Sequence, residues 1–171
     1  MRAKTLAAAE CEVERPYLRA ALLCGLVLFL EGYDIAAVGY AIPSLVDVWR
    51  VDPSAFTEAL AAGNVGLVLG STGAGLLGDQ AGRRPVLICC VTVFGVFSLL
   101  SALVDSPMQL ASLRLLTGLG LGGGIPLAVA LVSDLAPPTA QGRLVILMAA
   151  GIPIGFTLGG LLASQLVPLF G

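Results

Sequence analysis

Three charged residues stand in stretches that are otherwise apolar: Glu31, Asp34 and Arg114. Glu31 and Asp34 fall inside Leu18–Pro43, a run long enough to cross a membrane as a helix. Three residues apart on a helix, they lie on one face. An ionisable group at that depth costs several kcal/mol unless it faces protein or water, so the pair is a candidate functional site. An apolar setting favours the neutral carboxylic acid, whereas a nearby guanidinium favours the carboxylate. An acid held between these influences can take and release a proton as its surroundings change. Arg114 stays charged, and its planar fork suits a carboxylate. One arginine that alternates between an internal acid and an anionic substrate would couple proton movement to anion movement. Plainer readings remain open. The acids can sit at an interface or merely tie helices together, and Arg114 can snorkel to a membrane surface.

The elements that must position these residues are membrane helices. The chain of 171 residues is 57% hydrophobic and 12% charged, against about 25% charged in soluble domains. Its apolar runs are continuous rather than alternating, which favours helices over strands. In lipid each backbone polar group needs an internal partner, and a helix supplies it. Five spans are expected, at about 18–43, 57–78, 85–104, 110–133 and 144–168, behind a polar tail over 1–17. The first run is too long, too acidic and too poor in a cleavage site to be a signal peptide. Trp49 is a plausible interface anchor in the loop after it. Gly66 and Gly70 in the second span, and Gly151, Gly155 and Gly159 in the fifth, repeat at four-residue spacing. Such stripes let helix backbones approach closely in lipid.

Orientation follows from the basic residues. With five spans, Arg2, Lys4, Arg15, Arg19, Arg83, Arg84 and Arg143 fall on one side, and Arg50 alone on the other. The positive-inside rule then places the N-terminus in the cytoplasm, and the expected location is the plasma membrane. Counted at ~1.5 Å per residue from the span ends, Asp34 stands about 21 Å and Arg114 about 22 Å above the cytoplasmic face of a ~30 Å core. Similar heights permit a charge pair or a shared cavity, although lateral position is not read this way.

Other chemistry finds little support. Net charge is −2, with no basic cluster beyond Arg83–Arg84, which argues against nucleic acid. The four cysteines, Cys11, Cys24, Cys89 and Cys90, form no Cys-x-x-Cys, and the chain has no histidine. A metal site is not expected, and hydrolysis through a Ser–His pair lacks its base. Gly118, Gly120 and Gly123 match a dinucleotide fingerprint by letter, but inside a long apolar run with no preceding strand. No enzymatic activity and no cofactor are expected, the proton serving as coupling ion.

The motifs resemble the N-terminal half of the major facilitator superfamily. Gly75-Leu-Leu-Gly78-Asp79-Gln-Ala-Gly82-Arg83-Arg84 is similar to that family's loop signature between helices two and three, with Gln80 where a basic residue is usual. Arg114, Gly118, Gly120 and Gly122 resemble its fourth-helix pattern. The glycines of the fifth span resemble its helix-five pattern, with the proline displaced to Pro153. Glu31-Gly-Tyr-Asp34 resembles the first-helix signature of the aromatic acid:proton symporters, Glu31 replacing the usual first Asp. The resemblance implies an all-α six-helix bundle, truncated here to five spans. It also implies proton-driven uptake of aromatic carboxylates such as hydroxybenzoate, with Glu31, Asp34 and Arg114 on the coupling and substrate pathway. Gly75, Gly78, Asp79, Gly82, Arg83 and Arg84 would belong to a gating loop between spans two and three.

Family members place substrate between two six-helix halves. Five spans alone are therefore expected to be an inactive fragment. The implied partners are the lipid bilayer, a small organic anion and the missing C-terminal helices of the same transporter. Two alternatives stay open: a transporter of sugars, drugs or non-aromatic acids, and a non-transporting membrane scaffold or decayed gene product.

Overall fold

The computed structural model describes the backbone over residues 2–170 and the side chains over residues 17–165. Six helices follow in order: α1 (Arg2–Trp49), α2 (Ala55–Ala81), α3 (Arg83–Leu100), α4 (Pro107–Leu135), α5 (Pro138–Ala149) and α6 (Gly151–Phe170). A 3-10 turn, Ser101–Leu103, follows α3. Taking α5 and α6 as one span, five helical segments are long and apolar enough to cross a membrane. Among the described residues there is no strand. The side chains expected to form the polar tail, and Cys11 with them, lie outside the described residues, save Tyr17.

The helices overrun their apolar stretches, because backbone hydrogen bonding continues past the last apolar side chain. α1 reaches Trp49, and Arg50 then turns the chain with φ 51°. That left-handed backbone is a common way to end a helix. Trp49 stacks on Phe56 of α2, with ring centroids 5.7 Å apart, so it ties two helices together. At the start of α4, the Ser106 hydroxyl accepts from the Gln109 N–H and Pro107 occupies the first turn, as helix N-termini favour.

α4 is the organising element. It packs against α2 and α3 most extensively, and also against α1 and α5. It is apolar on every side, as a helix enclosed by others should be. Its closest seam is with α2. A Cβ on Gly66 or Gly70 would overlap the carbonyls of Leu115 and Leu119. In return, Gly118 and Gly122 of α4 lie against the carbonyls of Gly63 and Leu67. A matching seam joins α1 to α6, where Gly151 and Gly155 meet the carbonyls of Gly25 and Phe29. Gly120 brings α3 in too, since a Cβ there would stand 2.6 Å from the Cys90 carbonyl. Lipid gives no hydrophobic drive between helices, so this close van der Waals packing holds them.

Two apolar clusters mark the ends of the bundle. Leu28, Ala128, Val132 and Met148 belong to one, and Phe56, Ala59, Leu110 and Ala111 form the other. Glu31, Asp34 and Thr117 are buried between them.

The fifth span differs from its expected form. It begins as helix at Pro138 and breaks between Ala149 and Gly151. Pro153 explains the break, since it has no N–H to return to the Ala149 carbonyl and its ring crowds that oxygen. The polar turn expected over 79–84 contracts to one residue. Gly82, at φ 93° and ψ 145°, reverses the chain, and helix continues on both sides.

Candidate functional site

The site is built from the middle of α1, α3 and α4. Arg114 Nη1 donates to Asp34 Oδ2 at 2.6 Å. The pair is nearly enclosed, with side-chain exposures of 13% for Arg114 and 9% for Asp34. Ser98 of α3 donates its hydroxyl to the other oxygen, Asp34 Oδ1, also at 2.6 Å. One carboxylate is thus gripped from two helices. Charge-assisted bonds of this kind are roughly twice as strong as neutral ones. Arg114 Nε is buried and has no hydrogen-bond partner among the described residues.

Beside the pair lies a cavity of about 460 Å³ bordered by α1, α3 and α4. Its wall is mainly apolar, with Tyr33 and Phe94 contributing rings and Asp34, Ser98 and Arg114 contributing polar groups. An apolar pocket with a few convergent polar groups is the usual form of a small-molecule site. The free edge of the guanidinium and the rings together suit a planar or compact organic anion.

Glu31 is placed differently from Asp34. It is 2% exposed and does not border the cavity. Its Oε2 lies 4.0 Å from where a Cβ on Gly124 of α4 would stand, and has no hydrogen-bond partner among the described residues. The two acids therefore share the side of α1 that faces α4, but Asp34 alone meets Arg114. Thr117, 1% exposed, donates to the Arg114 carbonyl and steadies that turn of α4.

The residues of the expected loop motif gather at the opposite end of α2. Gly75 faces open space, while Gly78 is close to the Leu127 side chain. Arg83 Nη1 donates to Asp134 Oδ2 at 2.5 Å and to the Ala130 carbonyl at 3.1 Å, so it clasps the end of α4. Asp79 and Arg84 are exposed and border the same groove as Arg83 and Asp134. Asp134 was not singled out in the sequence. Gln141 of α5 donates to the carbonyls of Ser133 and Ala136, closing the end of α4 from the other side.

Ser98 escaped sequence reading because a serine in an apolar run ordinarily bonds back to its own helix. One signal was present. Counted at about 1.5 Å per residue from Pro85, Ser98 stands about 20 Å up, level with Asp34 and Arg114.

Residues 24–171 match the family model of the Major Facilitator Superfamily. The chain is 42% identical over 153 residues to the 4-hydroxybenzoate transporter PcaK of Pseudomonas aeruginosa, covering 90% of this chain and 34% of that protein. It is 37% identical over 150 residues to the gallate transporter of Pseudomonas putida, covering 88% and 33%. It is 39% identical over 140 residues to the 3-(3-hydroxy-phenyl)propionate transporter of Escherichia coli, covering 82% and 35%. The chain thus spans about a third of the length of these relatives. With five membrane-length helices and a family match over nearly its whole length, this multi-pass membrane protein belongs to the major facilitator superfamily.

Proposed function

We propose that the chain is part of a proton-coupled symporter for aromatic carboxylates such as hydroxybenzoate. The observation that carries the reading is the Asp34–Arg114 pair in the wall of a cavity bordered by Tyr33 and Phe94. Resemblance to relatives named as transporters of hydroxylated aromatic acids supports the substrate class. In this reading the substrate carboxylate competes with Asp34 for Arg114. Asp34, released from its counter-charge in a nearly enclosed site, takes a proton; when the substrate leaves, Arg114 returns and the proton departs. Glu31, one turn away and buried, serves the same proton path. Gly75, Gly78, Asp79, Gly82, Arg83 and Arg84 form a gating loop, in which the Arg83–Asp134 clasp holds one arrangement of the helix ends. The N-terminus faces the cytoplasm of a plasma-membrane protein. Further helices, matching the remaining length of the relatives, close the cavity, so residues 1–171 alone do not transport.

The test is uptake of labelled 4-hydroxybenzoate into vesicles containing the full-length protein, with and without a proton gradient. Saturable uptake that collapses with a protonophore is expected, and none from vesicles holding only residues 1–171. Preference for sugars, drugs or non-aromatic acids over hydroxybenzoate would overturn the substrate class. Asp34→Asn protein that keeps both its activity and its proton dependence would overturn the coupling role.

A further inference from the structure

Nine hydroxyl groups donate hydrogen bonds among the described residues, and eight of them bond to a main-chain carbonyl three or four residues back in the chain. Ser98 is the exception. Its hydroxyl leaves α3 and reaches Asp34 Oδ1 on α1 at 2.6 Å. A serine in a helix has a ready acceptor in the carbonyl one turn back, as Thr92 and Ser101 on either side demonstrate with Ile88 and Phe97. Reaching across means that the carboxylate is the better acceptor, as charged acceptors are.

The two donors on Asp34 are not equivalent. Arg114 carries charge on a long, flexible side chain and also borders the cavity. Ser98 is neutral and short, and its position follows that of α3. When an anion draws Arg114 away, Ser98 is the remaining partner of Asp34. A hydroxyl can donate to the carboxylate and, by rotating, accept from the protonated acid. Arg114 can do only the first. Near Asp34 stand Arg114 from α4, with Glu31 and Tyr33 on its own helix; along the cavity wall the polar side chains are Ser98 of α3 and Ser101 of the 3-10 turn, and neither element contributes a titratable group there. Of the two hydrogen-bonding partners of Asp34, Ser98 is therefore the one that can accept the acid's proton as well as donate to its carboxylate.

We propose that Ser98 is a positioning residue that holds Asp34 in place through the exchange of Arg114 between the internal acid and the substrate. The exchange itself rests on the transport reading above; the hydrogen bond does not. Without Ser98, Asp34 depends on Arg114 alone, and drawing the arginine away leaves a nearly enclosed acid with no partner. Substrate then competes at a disadvantage.

The experiment compares Ser98→Ala and Ser98→Thr in the purified full-length protein. In infrared spectra recorded without substrate at a pH low enough to protonate Asp34, the carboxyl stretch of the acid is identified by its loss in Asp34→Asn. It should move to higher frequency in Ser98→Ala, which removes a partner, and stay in place in Ser98→Thr, which keeps the hydroxyl. In uptake assays, Ser98→Ala should raise the apparent KM about tenfold, the scale of one hydrogen bond to a charged group. Its maximal rate per folded protein should change little, and Ser98→Thr should restore the KM. An Asp34 band unmoved by Ser98→Ala overturns the proposal whatever the protein carries. A moved band with an unchanged KM leaves the bond but overturns its role in exchange. A moved band in a protein that does not take up aromatic acids refutes the transport reading and, with it, the exchange role.

Discussion

At the scale of single residues, the Asp34–Arg114 pair behaves as a unit. Truncating one partner of a nearly enclosed pair strands the other charge, at a cost of about 3–5 kcal/mol. Asp34→Ala should therefore lower thermal stability in detergent more than the double variant Asp34→Ala, Arg114→Met, in which no charge is stranded. Equal melting temperatures would show that the pair is solvated. Arg114→Lys keeps the charge but loses the planar fork. It should raise the apparent KM for hydroxybenzoate about tenfold or more, read in the same uptake assay. Gly82 supports a separate prediction. At φ 93° and ψ 145° its backbone is open to glycine and strained for other residues, at about 1–3 kcal/mol. Gly82→Ala should lower the melting temperature, whereas Gln80→Ala, on the exposed end of α2, should not. The acids and the arginine were legible because charge in an apolar run is conspicuous, and because counting along helices gives depth. Their contact was not, since one-dimensional spacing carries no lateral information. Ser98 was hidden for a different reason: an isolated hydroxyl in an apolar run shows nothing of the acceptor it will choose.

At the scale of helices, the glycine seams govern. Gly66 on α2 abuts the Leu115 carbonyl, whereas Gly73 on the same helix has nothing within 4 Å of a Cβ position. Gly66→Leu should force α2 from α4 and destabilise the protein by about 1–3 kcal/mol or more, as overpacking does. Gly73→Leu should be tolerated. Melting temperatures of the two variants decide whether the seam or glycine content as such matters. Four-residue glycine spacing announced these faces in the sequence, but not which helix each would meet. That depends on reciprocal fit, with Gly118 and Gly122 answering Gly66 and Gly70 from α4. The break in the fifth span was also unread, although its cause, Pro153, stood in view. A proline costs one hydrogen bond, and whether the helix bends or divides there is settled by its neighbours, here α1 packed along α6.

At the scale of the molecule, the five spans leave a cavity bordered on one side by α1, α3 and α4. Loops joining these spans should label according to the proposed orientation. A cysteine at Ser54, in the loop between α1 and α2, should react with an impermeant thiol reagent added outside intact cells. One at Gln80 should react only after the membrane is opened. The reverse pattern would invert the topology. The helical class and number of spans were readable from hydropathy alone, because lipid forbids most alternatives.

The pairing of Asp34 with Arg114 also has a consequence for how the protein is made. The two residues lie 80 positions apart in the chain. At synthesis rates of about 5–20 residues per second, Asp34 is made roughly 4–16 seconds before its partner. During that interval the nascent first span must settle in the membrane carrying two acids without a counter-charge. Each disfavours insertion at mid-depth by about 2.5–3.5 kcal/mol. The helix that carries both acids is therefore at a disadvantage at birth, and its retention gains from helices the ribosome has yet to deliver.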